Sequence, residues 1–362
     1  MLELRNIAAK AGTFALNDIS LAVEQGSCHV IVGATGCGKT LLLESILGFK
    51  KLSRGNILLD GREITNQPLE KRHISYVPQD LALFPHLTVQ DNILYGLRMK
   101  GIKDPEHTRM VELLMETVGI KELARRSIRN LSGGERQRVA LVRAIAAGNK
   151  HLLLDEPFSA LHQGLRRELW YLLKDLQKSR DLTVLMVTHD MEEAFFLGDR
   201  VTVMIDGAIR QTGTARDVYE KPADTAVARF FGIGNIFTGR VRALSESALH
   251  VVCDSLGTEL TIPISASLRR PTGPGAPCTV GIRPENVMVL KPDRPSYVPE
   301  NLLTGTLTEI LLKGASHTLL FRPAGATTVV ELEVPDYALK KLDLIKGNDI
   351  SIFFKGECLF LL

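Results

Sequence analysis

The chain has 362 residues, too many for one small module and enough for two or three domains at about 150 residues each. Hydrophobic residues at 45% and charged residues at 23% form an ordinary globular mixture, which excludes disorder as a description of the whole. A net charge of +3 is too small over this length to predict a nucleic-acid or membrane-surface partner from electrostatics. Cys28, Cys37, Cys253, Cys278 and Cys358 are scattered and form no CxxC pair, so they argue against a metal or disulfide framework and for the cytosol. The opening MLELRNIAAKAG lacks the apolar run of a secretory signal, and no stretch reaches the 18 or so apolar residues of a membrane span. Any membrane role is therefore expected to be peripheral.

Along the chain, LELRNI and TFALNDISLAV alternate as strands do, and SCHVIV reads as a buried strand that runs into a glycine loop. The segment Thr40 to Gly48 has helical apolar spacing and stops at glycine. NILLDGREI predicts a hairpin turning at Asp60-Gly61, HISYVPQD a short strand, and residues 87–147 a mostly helical subdomain. The apolar strands HLLLDE and TVLMVTHD bracket an amphipathic helix around Leu165 to Lys178, so strands alternate with helices and a mostly parallel sheet is expected. After Gly232 the helical periodicity fades and short strands recur between turn signals. Two domains follow, an α/β unit over 1–231 and an all-β unit over 232–362. In the latter, Asn235-Ile-Phe-Thr-Gly239 returns as Asn301-Leu-Leu-Thr-Gly305, which predicts tandem small barrels over about 235–290 and 301–362.

Gly33-Ala34-Thr35-Gly36-Cys37-Gly38-Lys39-Thr40 fits GxxxxGK[ST] between a predicted strand and a predicted helix, the context in which such a loop cradles phosphate. Glycines let backbone N–H groups turn inward, Lys39 brings a charge to the outer phosphates, and the Thr40 hydroxyl is a ligand for Mg²⁺ at the helix N-terminus. The loop alone leaves kinase, GTPase and motor ATPase open. HLLLDE ends a buried strand on two adjacent carboxylates, so Asp155 is placed to hold Mg²⁺ and Glu156 to orient or deprotonate an attacking water. Adjacent strand residues face opposite ways, which requires the backbone to redirect Glu156 at the strand end.

Leu131-Ser132-Gly133-Gly134-Glu135, followed by RQRVALVRA, resembles the defining LSGGE sequence of the ATP-binding subunits of ABC transporters. A helix starting at Ser132 offers a second phosphate-binding surface in the same chain. The resemblance implies an ATP hydrolase with a P-loop, RecA-like α/β fold. It also implies a head-to-tail homodimer in which Ser132 to Glu135 close over nucleotide held by the partner's phosphate loop. By the same resemblance, Gln79 in YVPQD senses Mg²⁺ and the attacking water, and His189 in VTHD contacts the outermost phosphate. The all-β tail, with Arg283-Pro-Glu-Asn286, resembles the tandem OB-like regulatory domain of importers. Those importers carry molybdate, sulfate, polyamines, iron or sugars; Asn301-x-Leu-x-Gly305 and FKGECLFLL look most like the molybdate or tungstate type. What this implies is a subunit on the cytoplasmic face of the cell membrane, bound to two transmembrane permease subunits and served indirectly by an extracytoplasmic solute-binding protein.

Three departures from the family pattern stand out. His162 in FSALHQG takes the place of an aspartate, Ala34 replaces a common proline, and the nearest ring to the expected adenine-stacking position is Phe14, which reads equally well as a core residue. The tail is expected either to bind an oxyanion near the repeated asparagines and Lys355 or to brace the dimer, and the added carboxylate in Val334-Pro-Asp336-Tyr337 weighs against an anion. A soluble ABC-type ATPase of DNA or translation work is the other class of reading; it would call for long insertions, a second ATPase half or a basic patch.

Overall fold

Residues of alternating burial open the chain as an antiparallel pair, β1 (Leu2–Ala11) and β2 (Phe14–Val23), whose inward side chains Leu2, Leu4, Ile7, Leu16 and Ile19 are buried. The computed structural model describes residues 1–362 apart from Lys103, Ala160, 265–272 and 291–299, and the chain divides into two units, Met1–Val218 and Tyr219–Leu362. In the first unit the fully buried run β3 (Cys28–Val32) leads through the glycine loop into α1 (Lys39–Leu47). That helix ends on Gly48 at φ 89°, whose N–H returns to the carbonyls of Glu44 and Ser45. The hairpin of β4 (Leu52–Leu59) and β5 (Arg62–Glu63) turns at Asp60-Gly61, both at positive φ. Next come β6 (Ile74–Val77), α2 (Val89–Met99), α3 (Pro105–Thr117) and α4 (Gly133–Ala146). The unit closes with β7 (His151–Asp155), α5 (Gln163–Arg180), β8 (Thr183–Thr188), α6 (Met191–Leu197), β9 (Arg200–Ile205) and β10 (Ala208–Gly213).

These strands make an antiparallel sheet, β2-β1-β4-β5, and a larger sheet, β10-β9-β3-β8-β7-β6, in which only β10 runs antiparallel to its neighbour. Helix α1 joins them: Leu42, Leu43, Ile46 and Leu47 share one core with Leu2, Leu4 and Ile19 of the first sheet and Leu153, Leu185 and Val187 of the second. Each fully buried aliphatic side chain contributes about 1.5–3 kcal/mol, so the helix that follows the phosphate loop is anchored from both sides. Strands β3, β6, β7 and β8 end along one edge, and ligands of parallel sheets bind at that edge.

The second unit is all β apart from short helices. Its sheets are β13-β12-β11-β14-β20 and β15-β19-β16-β17-β18. The strands are β11 (Ile236–Leu244), β12 (Ala248–Cys253), β13 (Thr258–Pro263), β14 (Pro277–Gly281) and β15 (Val287–Val289), then β16 (Leu302–Lys313), β17 (Ser316–Pro323), β18 (Val330–Pro335), β19 (Asp349–Phe354) and β20 (Phe360–Leu361). The two repeats exchange their closing strands: β15 pairs with β19, and β20 with β14.

The repeated Asn-x-x-Thr-Gly segments complete this exchange. The Asn235 side chain donates to the Glu331 carbonyl at 2.7 Å and accepts from the Glu331 N–H at 2.8 Å, while Asn301 makes the matching pair with Thr261 at 2.9 and 2.6 Å. Each asparagine thus reads as one more strand residue laid against the other repeat. At Gly305 a β-carbon would come within 2.1 Å of the Arg322 carbonyl, which accounts for the glycine of the repeat by close backbone approach. Both asparagine side chains are buried and committed to backbone groups of the other repeat, so they tie the two repeats together. Asn301→Ala leaves the part-buried N–H and carbonyl of Thr261 without these partners, so calorimetric unfolding of the full chain should show a loss of about 1–2 kcal/mol. Substitution of the exposed Tyr337 is the control and should change little.

Candidate active site

Four strand ends deliver the residues singled out in the sequence to one open cleft of about 570 Å³, lined by Thr35, Gly36, Gly38, Lys39, Thr40, Leu41, Gln79, Glu156, Ser159 and His189. After β3 the loop turns through Gly36 and Gly38 at φ 83° and 105°. At Gly33 a β-carbon would lie 2.3 Å from the Met204 carbonyl and 2.5 Å from Cys37 Sγ, so the loop begins where no side chain fits. Thr88, Asp104, Ser132 and Asp190 cap α2, α3, α4 and α6 with their side chains, whereas α1 has no side-chain cap. Its first N–H groups face the loop, which leaves donors and a positive dipole end for an anion.

Lys39 is only 5% exposed; its ammonium donates to the Gly33 carbonyl at 2.8 Å and the Ala34 carbonyl at 3.1 Å and lies 3.6 Å from Glu156 Oε1. A buried ammonium held by neutral carbonyls and one loosely placed carboxylate is under-compensated, and an entering phosphate oxygen completes it. Cys37 lies buried under the loop, and burial pushes its thiol pKa up. Phe14 is half-buried, packs on the core and sits beneath Gly38, whose β-carbon would meet it at 2.7 Å; it is not among the residues lining the cleft.

At the end of β7 the backbone of Glu156 turns to φ 44°, its N–H bound to the Val187 carbonyl at 3.0 Å. This left-handed residue resolves the alternation problem: Asp155 stays buried below the loop while Glu156 swings into the cleft. Thr40 donates to Asp155 Oδ1 at 3.2 Å and the Tyr76 hydroxyl to Oδ2 at 3.3 Å. Burial pushes the Asp155 carboxyl pKa up, and these two hydrogen bonds pull against it. Glu156 Oε2 lies 2.9 Å from His189 Nδ1 and accepts from it in the tautomer that carries the Nδ1 proton, so Lys39, Glu156 and His189 form a chain across the cleft.

Ser132, Gly133, Gly134 and Glu135 are not part of this cleft. They form the start of α4, where Ser132 Oγ accepts from the Glu135 N–H at 3.3 Å and the Ser132 N–H donates to Glu135 at 2.7 Å, a closed capping box. Ser132 and Gly133 are exposed, so this helix end faces outward. His162 precedes α5 without capping it. Two contributors were not singled out in the sequence. Tyr76 reaches Asp155 from β6, and Arg143 of α4 donates to the carbonyls of Leu81 and Ala82 at 2.6 Å each, holding the loop after Gln79 where both residues have positive φ.

The family model "ABC transporter" matches residues 16–159. The molybdate/tungstate import ATP-binding protein WtpC of Pyrococcus horikoshii is 42% identical over 359 residues, covering 99% of both chains. The chain belongs to the importer-type ATP-binding subunits of ABC transporters. The spermidine/putrescine import ATP-binding protein PotA of Nitratidesulfovibrio vulgaris is 40% identical, with 88% of this chain and 86% of that one covered. A solved structure, the ADP conformation of MJ1267, an ATP-binding cassette of an ABC transporter, superposes with a TM-score of 0.56 at 25% identity over 64% of this chain and 98% of that one. This ABC-type ATPase therefore combines the mixed α/β cassette fold with an all-β tail of OB-like strands. Gly33→Ala should weaken ATP binding by more than about 10-fold, since a new methyl in a backbone contact must displace the loop or its neighbour. Titration with a fluorescent ATP analogue checks this, and unchanged affinity would contradict the packing account.

Proposed function

We propose that this ATPase is the motor subunit of a prokaryotic importer, a head-to-tail homodimer on the cytoplasmic face of the membrane beneath two permease subunits. An extracytoplasmic binding protein feeds those permeases and touches this chain only through them. The observation that carries the reading is that Lys39, Thr40, Gln79, Glu156 and His189 line one cleft while the helix end at Ser132 lies exposed outside it. Half of a phosphate shell is built in the cleft and a matching half is presented outward, which suits two chains that each complete the other's site. Among the described residues no helix is long and apolar enough to cross a membrane, in keeping with a peripheral subunit.

In this reading the loop N–H groups and Lys39 bind the ATP phosphates, and Glu156 takes a proton from a water that attacks the terminal phosphorus as the bond to the β-phosphate oxygen breaks. His189 holds the Glu156 carboxylate in the cleft through Nδ1–H, with its ring beside the transferred phosphate; the products are ADP and phosphate. Thr40 and Asp155, hard oxygen donors already in contact, fit Mg²⁺ with Gln79 beside them and would supply charge neutralisation of the phosphates there. Ser132 to Glu135 of a second chain close the outer side.

For the solute we favour an oxyanion, molybdate or tungstate, on the full-length likeness to the relative named for that import. The polyamine reading rests on the similar identity of the spermidine/putrescine relative over somewhat less of each chain. The committed asparagines favour a bracing role for the tail over an anion sensor. Reconstitution with the permease and binding protein decides the solute: hydrolysis should rise with molybdate- or tungstate-loaded binding protein, and a rise with spermidine alone would replace the oxyanion by a polyamine. For the chemistry, Glu156→Gln should retain ATP binding, slow hydrolysis by about 10²-fold or more and accumulate an ATP-bound dimer in light scattering. Wild-type single-turnover rates in that variant would move the base elsewhere.

A further inference from the structure

Glu156 and His189 come from the ends of different strands, β7 and β8, and must be held together to act on one water. The residues that follow Glu156 fold back on it: Ser159 donates to the Glu156 carbonyl through its N–H at 3.3 Å and its hydroxyl at 3.0 Å. On the other side Asp190, adjacent to His189, caps α6 through Oδ1, accepting from the N–H groups of Glu192 at 2.8 Å and Glu193 at 3.2 Å. Its own N–H donates to Thr188 Oγ1 at 3.0 Å.

One guanidinium joins both loops. Arg166, in the first turn of α5, donates Nε–H to the Leu161 carbonyl at 2.7 Å, Nη2–H to the Ser159 carbonyl at 3.4 Å and Nη1–H to Asp190 Oδ2 at 2.9 Å. The Arg166 and Asp190 side chains are 26% and 24% exposed, so the pair is less screened than a surface ion pair. The planar fork serves three acceptors in three directions, which a lysine ammonium on a flexible stem does not reproduce. Resting on the proposed reading of the cleft as an ATP-hydrolysing site, we propose that Arg166 is a positioning residue that holds Glu156 and His189 in register through its ion pair with Asp190.

A merely structural Arg166 would fix the start of α5, which has no side-chain cap, and would not need Asp190 for its effect on turnover. The test is a double-mutant cycle in the full-length chain: kcat, ATP affinity by titration calorimetry and melting temperature for wild type, Arg166→Gln, Asp190→Asn and the double variant. Each single change should lower kcat by about 10²-fold, the cost of misplacing a reacting pair by about an ångström. ATP affinity should stay within about twofold, because Lys39 and its loop are untouched. The double variant should be no slower than the worse single one. Should Arg166→Gln fail to fold, Asp190→Asn carries the test, since asparagine keeps the Oδ1 cap of α6 and replaces only the acceptor facing Arg166. Unchanged kcat in Asp190→Asn, or losses that multiply in the double variant, would overturn the proposal. A wild-type chain that binds ATP without hydrolysing it would overturn the parent reading of the cleft, and this role with it.

Discussion

The site depends on one backbone constraint: Glu156 sits at φ 44° at the end of β7. In a regular strand the Asp155 and Glu156 side chains would point to opposite faces, and a single cleft could use only one of them. The left-handed turn, fixed by the hydrogen bond from its N–H to Val187 on the neighbouring strand, places one carboxylate under the phosphate loop and the other across it. A non-glycine residue in that region costs about 1 to 3 kcal/mol and persists only where its surroundings over-determine it. Here the surroundings are the parallel register of β7 with β8 and the contacts of Glu156 with Lys39 and His189.

That register also explains why so few residues suffice. Strands β3, β8, β7 and β6 lie side by side and end together, so the loop after β3, Gln79 after β6, Asp155 and Glu156 at the end of β7 and His189 after β8 meet along one edge. The supporting bonds come from helices packed behind them. Arg143 reaches from α4 to the loop after Gln79, and Arg166 reaches from α5 to the loops of Glu156 and His189. Because Ser132 caps α4, the helix whose start is proposed to complete a partner's phosphate shell also holds the loop after Gln79.

The residues of the candidate site were legible because they lie in contiguous segments with fixed spacing. The glycine loop, the strand-end carboxylates and the Ser132 helix start are each set by local rules of turn, strand and cap, and β3, α1, β7, α5 and β8 follow from periodicity. The long-range contacts were not legible. Tyr76 reaches Asp155, and Arg166 reaches Asp190, across sequence gaps that carry no pattern. In the tail the repeat itself was readable, but the partners of Asn235 and Asn301 were not: only the exchange of β15 and β20 shows that each completes a ladder of the other repeat. Sequence similarity between two segments marks equivalent positions without saying which partner each one meets.

In the proposed dimer hydrolysis needs two chains, one giving Lys39 and the other Ser132. The direct measurement is subunit complementation, in which Lys39→Ala and Ser132→Arg chains, each inactive alone, are co-purified as a mixed dimer by two different tags. One site of that dimer pairs an intact Lys39 with an intact Ser132 helix end, so the account predicts that ATP hydrolysis reappears in the mixed species. Wild-type turnover by Ser132→Arg alone, or a mixed dimer as inactive as its parents, would contradict it.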